Sequence, residues 1–149
     1  MIDVATLQRW TEEIGYRTEL VKPSTLRIYP LEEGVVALPA FYVQCTENWV
    51  VLSMFGVLDP IEAPSAAAEG AVSLPLVEDT GQAFDLLRHL LEANRDMRVA
   101  KFALDDRGEI LLCAELPTES LDRSEFADAV ERIIEYATTY RHTLLGAGI

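Results

Sequence analysis

Along the first fifteen residues Val4, Leu7, Trp10 and Ile14 recur at helical spacing, while Arg9, Glu12 and Glu13 fall on the other face. This predicts a helix opened by Asp3 as N-cap, stopped at Gly15, and anchored in the core by Trp10. Past Gly15 the period shortens to two. Tyr16 to Val21 and Leu26 to Tyr29 read as short strands around the turn Lys22-Pro23-Ser24-Thr25. Pro30 and Glu32-Glu33-Gly34 mark another turn. Two longer β-type runs follow, Val35 to Cys45 and Trp49 to Val57, joined by Thr46-Glu47-Asn48. The pattern is that of an antiparallel meander. Pro39 cannot donate to a ladder, so it predicts an edge position or a bulge for its strand.

The run from Trp49 to Val57 is apolar on both faces. Trp49, Val51, Ser53 and Phe55 alternate with Val50, Leu52 and Met54. Either a helix or loop covers each face, or one face is an interaction surface. A second protomer is one way to cover it.

From Leu58 to Val77 the periodicity breaks, with Asp59-Pro60, Ala63-Pro64-Ser65, Gly70 and Pro75, which predicts a long surface loop over 58–78. Asp79-Thr80-Gly81-Gln82 has the form of a capping box and opens a second helix reaching about Asn94. Phe84, Leu87, Leu90 and Leu91 share one face of it, and Ala83 and Leu86 broaden that stripe toward a second contact. Val99 to Leu104 and Glu109 to Leu116 form a hairpin across the turn Asp105-Asp106-Arg107-Gly108. The last helix starts at Asp122, with Glu125 completing a capping box. It runs on Phe126, Ala129, Val130, Ile133, Ile134, Ala137 and Tyr140, while Asp128, Glu131, Arg132 and Glu135 stay wet.

Composition then sets limits. At 149 residues the chain reads as one domain, 1–149, long enough to bury a core without disulfides. Half of it is hydrophobic and a quarter charged, a globular balance rather than a disordered one. The net charge of −13 repels nucleic acid and anionic lipid and favours basic protein surfaces; it also serves solubility. No Lys or Arg occurs between Arg27 and Arg88, so the acidity concentrates on the meander and the loop. The N-terminus shows no basic leader followed by an apolar run. No apolar run approaches the ~20 residues of a membrane-spanning helix. The chain is therefore expected to be cytoplasmic, with no membrane and no direct nucleic-acid contact.

Candidate chemistry is thin. Cys45 and Cys113 lack any metal-type or CxxC spacing and read as buried reduced thiols; the only histidines, His89 and His142, could meet either only by accident of folding. The Asp105-Asp106-Arg107-Gly108-Glu109 segment lacks the ligand alternation of a calcium loop. The paired carboxylates Glu12-Glu13, Glu32-Glu33 and Glu78-Asp79 show no sign of convergence. No phosphate-cradling glycine motif is present. No catalytic, metal or cofactor residue is assigned, and no enzyme is expected.

One resemblance narrows the reading. Asn94 after an apolar helix, then Lys101-Phe102-Ala103-Leu104-Asp105-Asp106-Arg107-Gly108, Ile110-Leu111-Leu112 and Glu115-Leu116-Pro117 before the helix capped at Asp122, resemble the YbjN-like family of bacterial proteins. That family's fold is similar to that of type III secretion chaperones. The resemblance implies an α+β fold, an antiparallel sheet with helices in the order α-β-β-β-α-β-β-α. It also implies a non-enzymatic, chaperone- or adaptor-like module that dimerises and grips a protein client. The Ala/Pro-rich stretch from Leu58 to Val77 is longer than the family's usual link. Acidity points to a basic client, nucleic-acid-binding proteins included. The candidate partner or dimer surface is Trp49, Val51, Phe55, Phe84, Leu87 and Leu91. The alternative is a small-molecule-sensing regulatory domain, which requires a deep apolar cavity with convergent polar groups.

Overall fold

The computed structural model describes residues 2–30, 38–58 and 80–146, with the side chains of 80, 82, 83 and 142–146 excepted. Its elements are α1 (Val4–Glu13), β1 (Arg17–Lys22), β2 (Thr25–Tyr29), β3 (Phe41–Cys45), β4 (Trp49–Phe55), α2 (Thr80–Asp96), β5 (Ala100–Leu104), β6 (Ile110–Pro117) and α3 (Arg123–Gly146). The fold is α+β with an antiparallel sheet. It has one strand more ahead of α2 than the order implied by the resemblance, because β1 and β2 form a separate hairpin.

All six strands join one sheet in the order β1-β2-β3-β4-β6-β5. The C-terminal hairpin enters through its second strand, so β6 pairs along the whole of β4, from Trp49 opposite Pro117 to Phe55 opposite Leu111, and β5 becomes an edge. One cross-strand row, Leu26, Val43, Leu52, Ala114 and Ala100, runs along a single face of the sheet. Every member of it is buried. Period-two alternation puts Ile28, Phe41, Val50, Met54, Leu112 and Phe102 on that same face, and they too are buried.

The helices cover this face. α1 packs on β1 and β2, α3 crosses β4, β5 and β6, and α2 lies against β5 and α3. Asp3 caps α1 by accepting from the Thr6 N–H at 2.8 Å, and Gly15 follows the helix at φ 101°, where a Cβ would be strained. Trp10 packs 6.0 Å from the Phe126 ring, joining α1 to α3. The capping box of α3 closes in both directions: Glu125 N–H donates to Asp122 and Asp122 N–H donates to Glu125. From there Phe126, Ala129, Val130, Ile133 and Ala137 enter the core as their spacing predicts. Fully burying a Phe, Val or Ile side chain contributes about 1.5–3 kcal/mol. Arg141, the one buried cation among the described residues, donates to the Val57 carbonyl at 3.1 Å and ties α3 to the end of β4.

Several expectations are corrected. Pro39 neither places its strand at an edge nor marks a bulge: β3 begins two residues later, at Phe41, and lies between β2 and β4. The proline stands outside the ladder, so its missing N–H costs no strand bond. The irregularity in pairing occurs instead between Leu20 and Lys22 in β1. The core face of α2 is Leu86, Leu90, Ala93 and Met97; of the Phe84, Leu87, Leu90, Leu91 stripe only Leu90 is buried, and spacing alone assigns no core face to this helix. The start of the Val35–Cys45 run, the turn at Glu32-Glu33-Gly34, the 58–78 loop beyond Leu58, the Asp79 cap and the His142 side chain lie outside the described residues.

Candidate protein-binding surfaces

Among the described residues every helix lies on one side of the sheet and none covers the other, which the register assigns to the alternate set of residues. Trp49, Val51, Ser53 and Phe55 of β4 stand there opposite Pro117, Glu115, Cys113 and Leu111 of β6. Trp49 is 47% exposed and Phe55 38%, while Val51 is half-buried. The two apolar faces of β4 therefore have different fates: Val50, Leu52 and Met54 reach the core, and the odd-numbered set reaches the surface. Exposed large rings on an ordered strand are the kind of apolar patch that marks an interaction surface.

The other predicted residues lie on the outer flank of α2. Phe84 and Leu91 are 67% and 68% exposed, and Leu87 is half-buried. With Arg88, Glu92 and Arg95 they line a shallow groove of about 430 Å³. Arg88 is paired with Glu92 at 3.1 Å, one turn further on. The candidate residues thus form two patches on different elements, one on the uncovered sheet face and one on the α2 flank.

What holds α2 in place is its C-terminal end. The Asn94 carboxamide donates to the Phe102 carbonyl at 3.0 Å and accepts from the Phe102 N–H at 2.8 Å. These are backbone groups of an edge strand, which the side chain satisfies as a neighbouring strand would. Lys101 donates to the Asn94 and Met97 carbonyls, and Arg98 to those of Arg95 and Met97, so cations meet the negative end of the helix. Val99 then turns the chain at φ 72°, with the Ala100 N–H donating to the Arg98 carbonyl at 2.8 Å in a three-residue γ-turn. The Tyr136 hydroxyl accepts from Arg98 N–H at 2.9 Å.

Sequence reasoning missed a further feature of the uncovered face. Arg17 and Tyr29 of β1 and β2 are cross-strand partners, as are Glu19 and Arg27, and Arg27 in turn faces Tyr42 of β3. The Arg17 guanidinium lies 4.2 Å from the Tyr29 ring centroid. Arg27 donates to the Tyr29 and Tyr42 hydroxyls, which hold its pKa well above the usual arginine value. The signal was present as Arg-Thr-Glu and Arg-Ile-Tyr at period two, but only pairing reveals that the polar members share a face.

Among the described residues neither cysteine is activated as a nucleophile. Cys45 is half-buried, its Sγ 3.6 Å from the Ile2 carbonyl oxygen, and burial followed by nearby Asp3 raises its thiol pKa. Burial and then Glu115 do the same to Cys113. Asp105 accepts from the Arg107 and Glu109 N–H groups, both at 2.8 Å, with Gly108 at φ 82°; it organises a turn. Among the described residues no group of three or more His, Cys, Asp or Glu is arranged to hold a metal, and no helix is long and apolar enough to cross a membrane.

A model of the Tir chaperone protein (CesT) family matches residues 67–141. No curated protein matches the chain. Among solved structures, a chain of the heterodimeric ExoU–SpcU complex from the type III secretion system of Pseudomonas aeruginosa is 22% identical, with 93% of each chain covered and a TM-score of 0.54. YbjN of E. coli, described as a putative transcription regulator, is 16% identical over 99% of this chain and 93% of its own, at a TM-score of 0.60. A chain of the Yersinia pestis secretion chaperone SycH with a fragment of YscM2 is 15% identical over 89% and 94%, at a TM-score of 0.50. These similarities establish a shared fold.

Proposed function

Because the chain belongs to the Tir chaperone protein (CesT) family, we propose that it is a non-enzymatic, chaperone- or adaptor-like module that holds a protein client as a homodimer. The observation that carries this reading is the sheet face that no described helix covers: an ordered strand presents Trp49, Val51 and Phe55 outward while Val50, Leu52 and Met54 pack the core. Two of the fold relatives are complexes with protein partners, ExoU with SpcU and SycH with a YscM2 fragment.

The α2 flank is the proposed dimer surface. Phe84, Leu87 and Leu91 form an apolar groove bordered by charged residues of both signs, which suits a self-complementary contact about a two-fold axis. The sheet face is then left for the client. A basic client, a nucleic-acid-binding protein among them, also finds carboxylates on the helical side, where Glu125, Asp128, Glu131 and Glu135 of α3 meet solvent.

Small-molecule sensing has less support. The concavity on α2 and the one at Ile2, Val4, Pro23 and Cys45 are open to solvent rather than enclosed. Two measurements test the proposal. Light scattering should give twice the chain mass at micromolar concentration; a clean monomer removes the dimer. Affinity capture from native lysate should recover a protein partner reproducibly, and repeated recovery of none counts against the function itself.

A further inference from the structure

The uncovered face is not chemically uniform. Its β4 part is largely apolar, with Trp49, Val51 and Phe55, and β6 adds the exposed Glu115 beside them, whereas its β1 to β3 half carries the Arg17, Glu19, Arg27, Tyr29 and Tyr42 ladder. Arg27 is fully engaged there. It donates to both phenols at 3.3 Å, lies 5.4 Å from the Tyr42 ring centroid and pairs with Glu19 at 3.5 Å. Tyr29 also donates to Glu19 at 2.7 Å. Arg17 differs: exposed and stacked on Tyr29, it has no ion pair among the described residues. A guanidinium stacked on a ring keeps its N–H fork outward and pre-organised for a planar anion.

The sign of this corner is opposite to that of the whole chain, whose net charge is −13. Glu19 is committed to Arg27 and Tyr29. We infer that the β1 to β3 corner seats an acidic stretch of the client polypeptide, with a carboxylate on Arg17 and aromatic contact on Tyr29 and Tyr42. The same stretch continues with apolar side chains over Trp49, Val51 and Phe55. This rests on the reading that the sheet face binds protein. Charge complementarity chooses the occupant: a basic segment meets Arg17, which has no ion pair among the described residues, and is better placed on the helical side. Nucleic acid could offer phosphate and bases to the same groups, but an extended polyanion meets the repulsion of the whole chain. A short acidic stretch meets far less of it.

Fluorescence anisotropy with a labelled glutamate–tyrosine copolymer, and with oligothymidylate, tests the assignment on native, Arg17→Gln and Trp49→Ser chains. The copolymer should bind the native chain. Arg17→Gln should weaken it about tenfold, the loss of roughly one charge-assisted contact. No copolymer binding, or equal binding by Arg17→Gln, overturns the inference. Tighter binding of oligothymidylate, lost in Arg17→Gln, overturns it in favour of nucleic acid. A fall from dimer to monomer mass in Arg17→Gln overturns it in favour of a contact between copies. Loss of binding in Trp49→Ser with full retention in Arg17→Gln refutes this inference alone and leaves protein binding by the sheet face standing.

Discussion

The Asn94 side chain takes both free backbone groups of Phe102, donating to its carbonyl and accepting from its N–H. One residue thereby closes the β5 edge of the sheet and fixes the end of α2. Replacing it with Leu keeps the bulk and removes both bonds. Asn94→Leu should cost about 2 kcal/mol, two ordinary hydrogen bonds and part of the penalty for unpaired backbone groups. Urea denaturation with an unchanged slope checks this; a midpoint equal to that of the native chain contradicts it.

Val99 holds a β-branched side chain at φ 72°, and it is 43% exposed, so little packing is at stake there. Left-handed backbone costs an L-residue roughly 1–2 kcal/mol. Val99→Gly should therefore raise stability, by about 1 kcal/mol after its loss of side-chain contact. A lower thermal midpoint contradicts the strained-turn account.

The two faces of α2 should respond oppositely. Leu90→Ala removes a core side chain and should cost about 2–4 kcal/mol. Leu91→Ser alters an exposed position and should change stability by less than about 0.5 kcal/mol while weakening the dimer. Chemical denaturation and light scattering separate the two effects. A destabilised, still dimeric Leu91→Ser chain contradicts the assignment.

The architecture was largely legible in the residues, and the places where it was not have physical causes. α1 and α3 each had one apolar face and an explicit cap, so Asp3, Trp10, Asp122 and Phe126 stand where their spacing put them, and the turn residues Lys22-Pro23-Ser24-Thr25 marked the β1–β2 hairpin. α2 did not. Phe84, Leu86, Leu87, Leu90, Leu91, Ala93 and Met97 cover too wide an arc for periodicity to choose a core face. Packing against β5 and α3 chose Leu86, Leu90, Ala93 and Met97. Pro39 marked a real boundary, but local chemistry cannot say whether a strand begins after a proline or contains it. The pairing of β6 rather than β5 with β4 is a long-range choice. The Arg17–Tyr29–Arg27–Tyr42 ladder depends on register across three strands, which no local pattern encodes. Trp49, Val51 and Phe55 were singled out because β4 is apolar on both faces, and the helices cover only one of them.

Both thiols should be slow to alkylate. Burial raises the Cys45 and Cys113 pKa values, with Asp3 and Glu115 adding to the shift, so less thiolate is present at neutral pH than in a free cysteine. Iodoacetamide labelling should be slower than that of a small thiol at the same pH and should accelerate as pH rises. A fast phase at pH 7 in the folded chain contradicts this. Cys113 also stands on the uncovered face, opposite Ser53 and Lys101. A bound client should slow it further and leave Cys45, which lies by Ile2 on the other face, unchanged.

The most direct measurement is affinity capture from native lysate with the native chain and a Trp49→Ser, Phe55→Ser double variant. Both substitutions fall on exposed side chains, so the variant should fold and scatter light as the native protein does. The account predicts that a partner held by the native chain is lost from the double variant. Recovery of the same partner in equal amount by both chains would contradict the claim that the uncovered sheet face does the gripping.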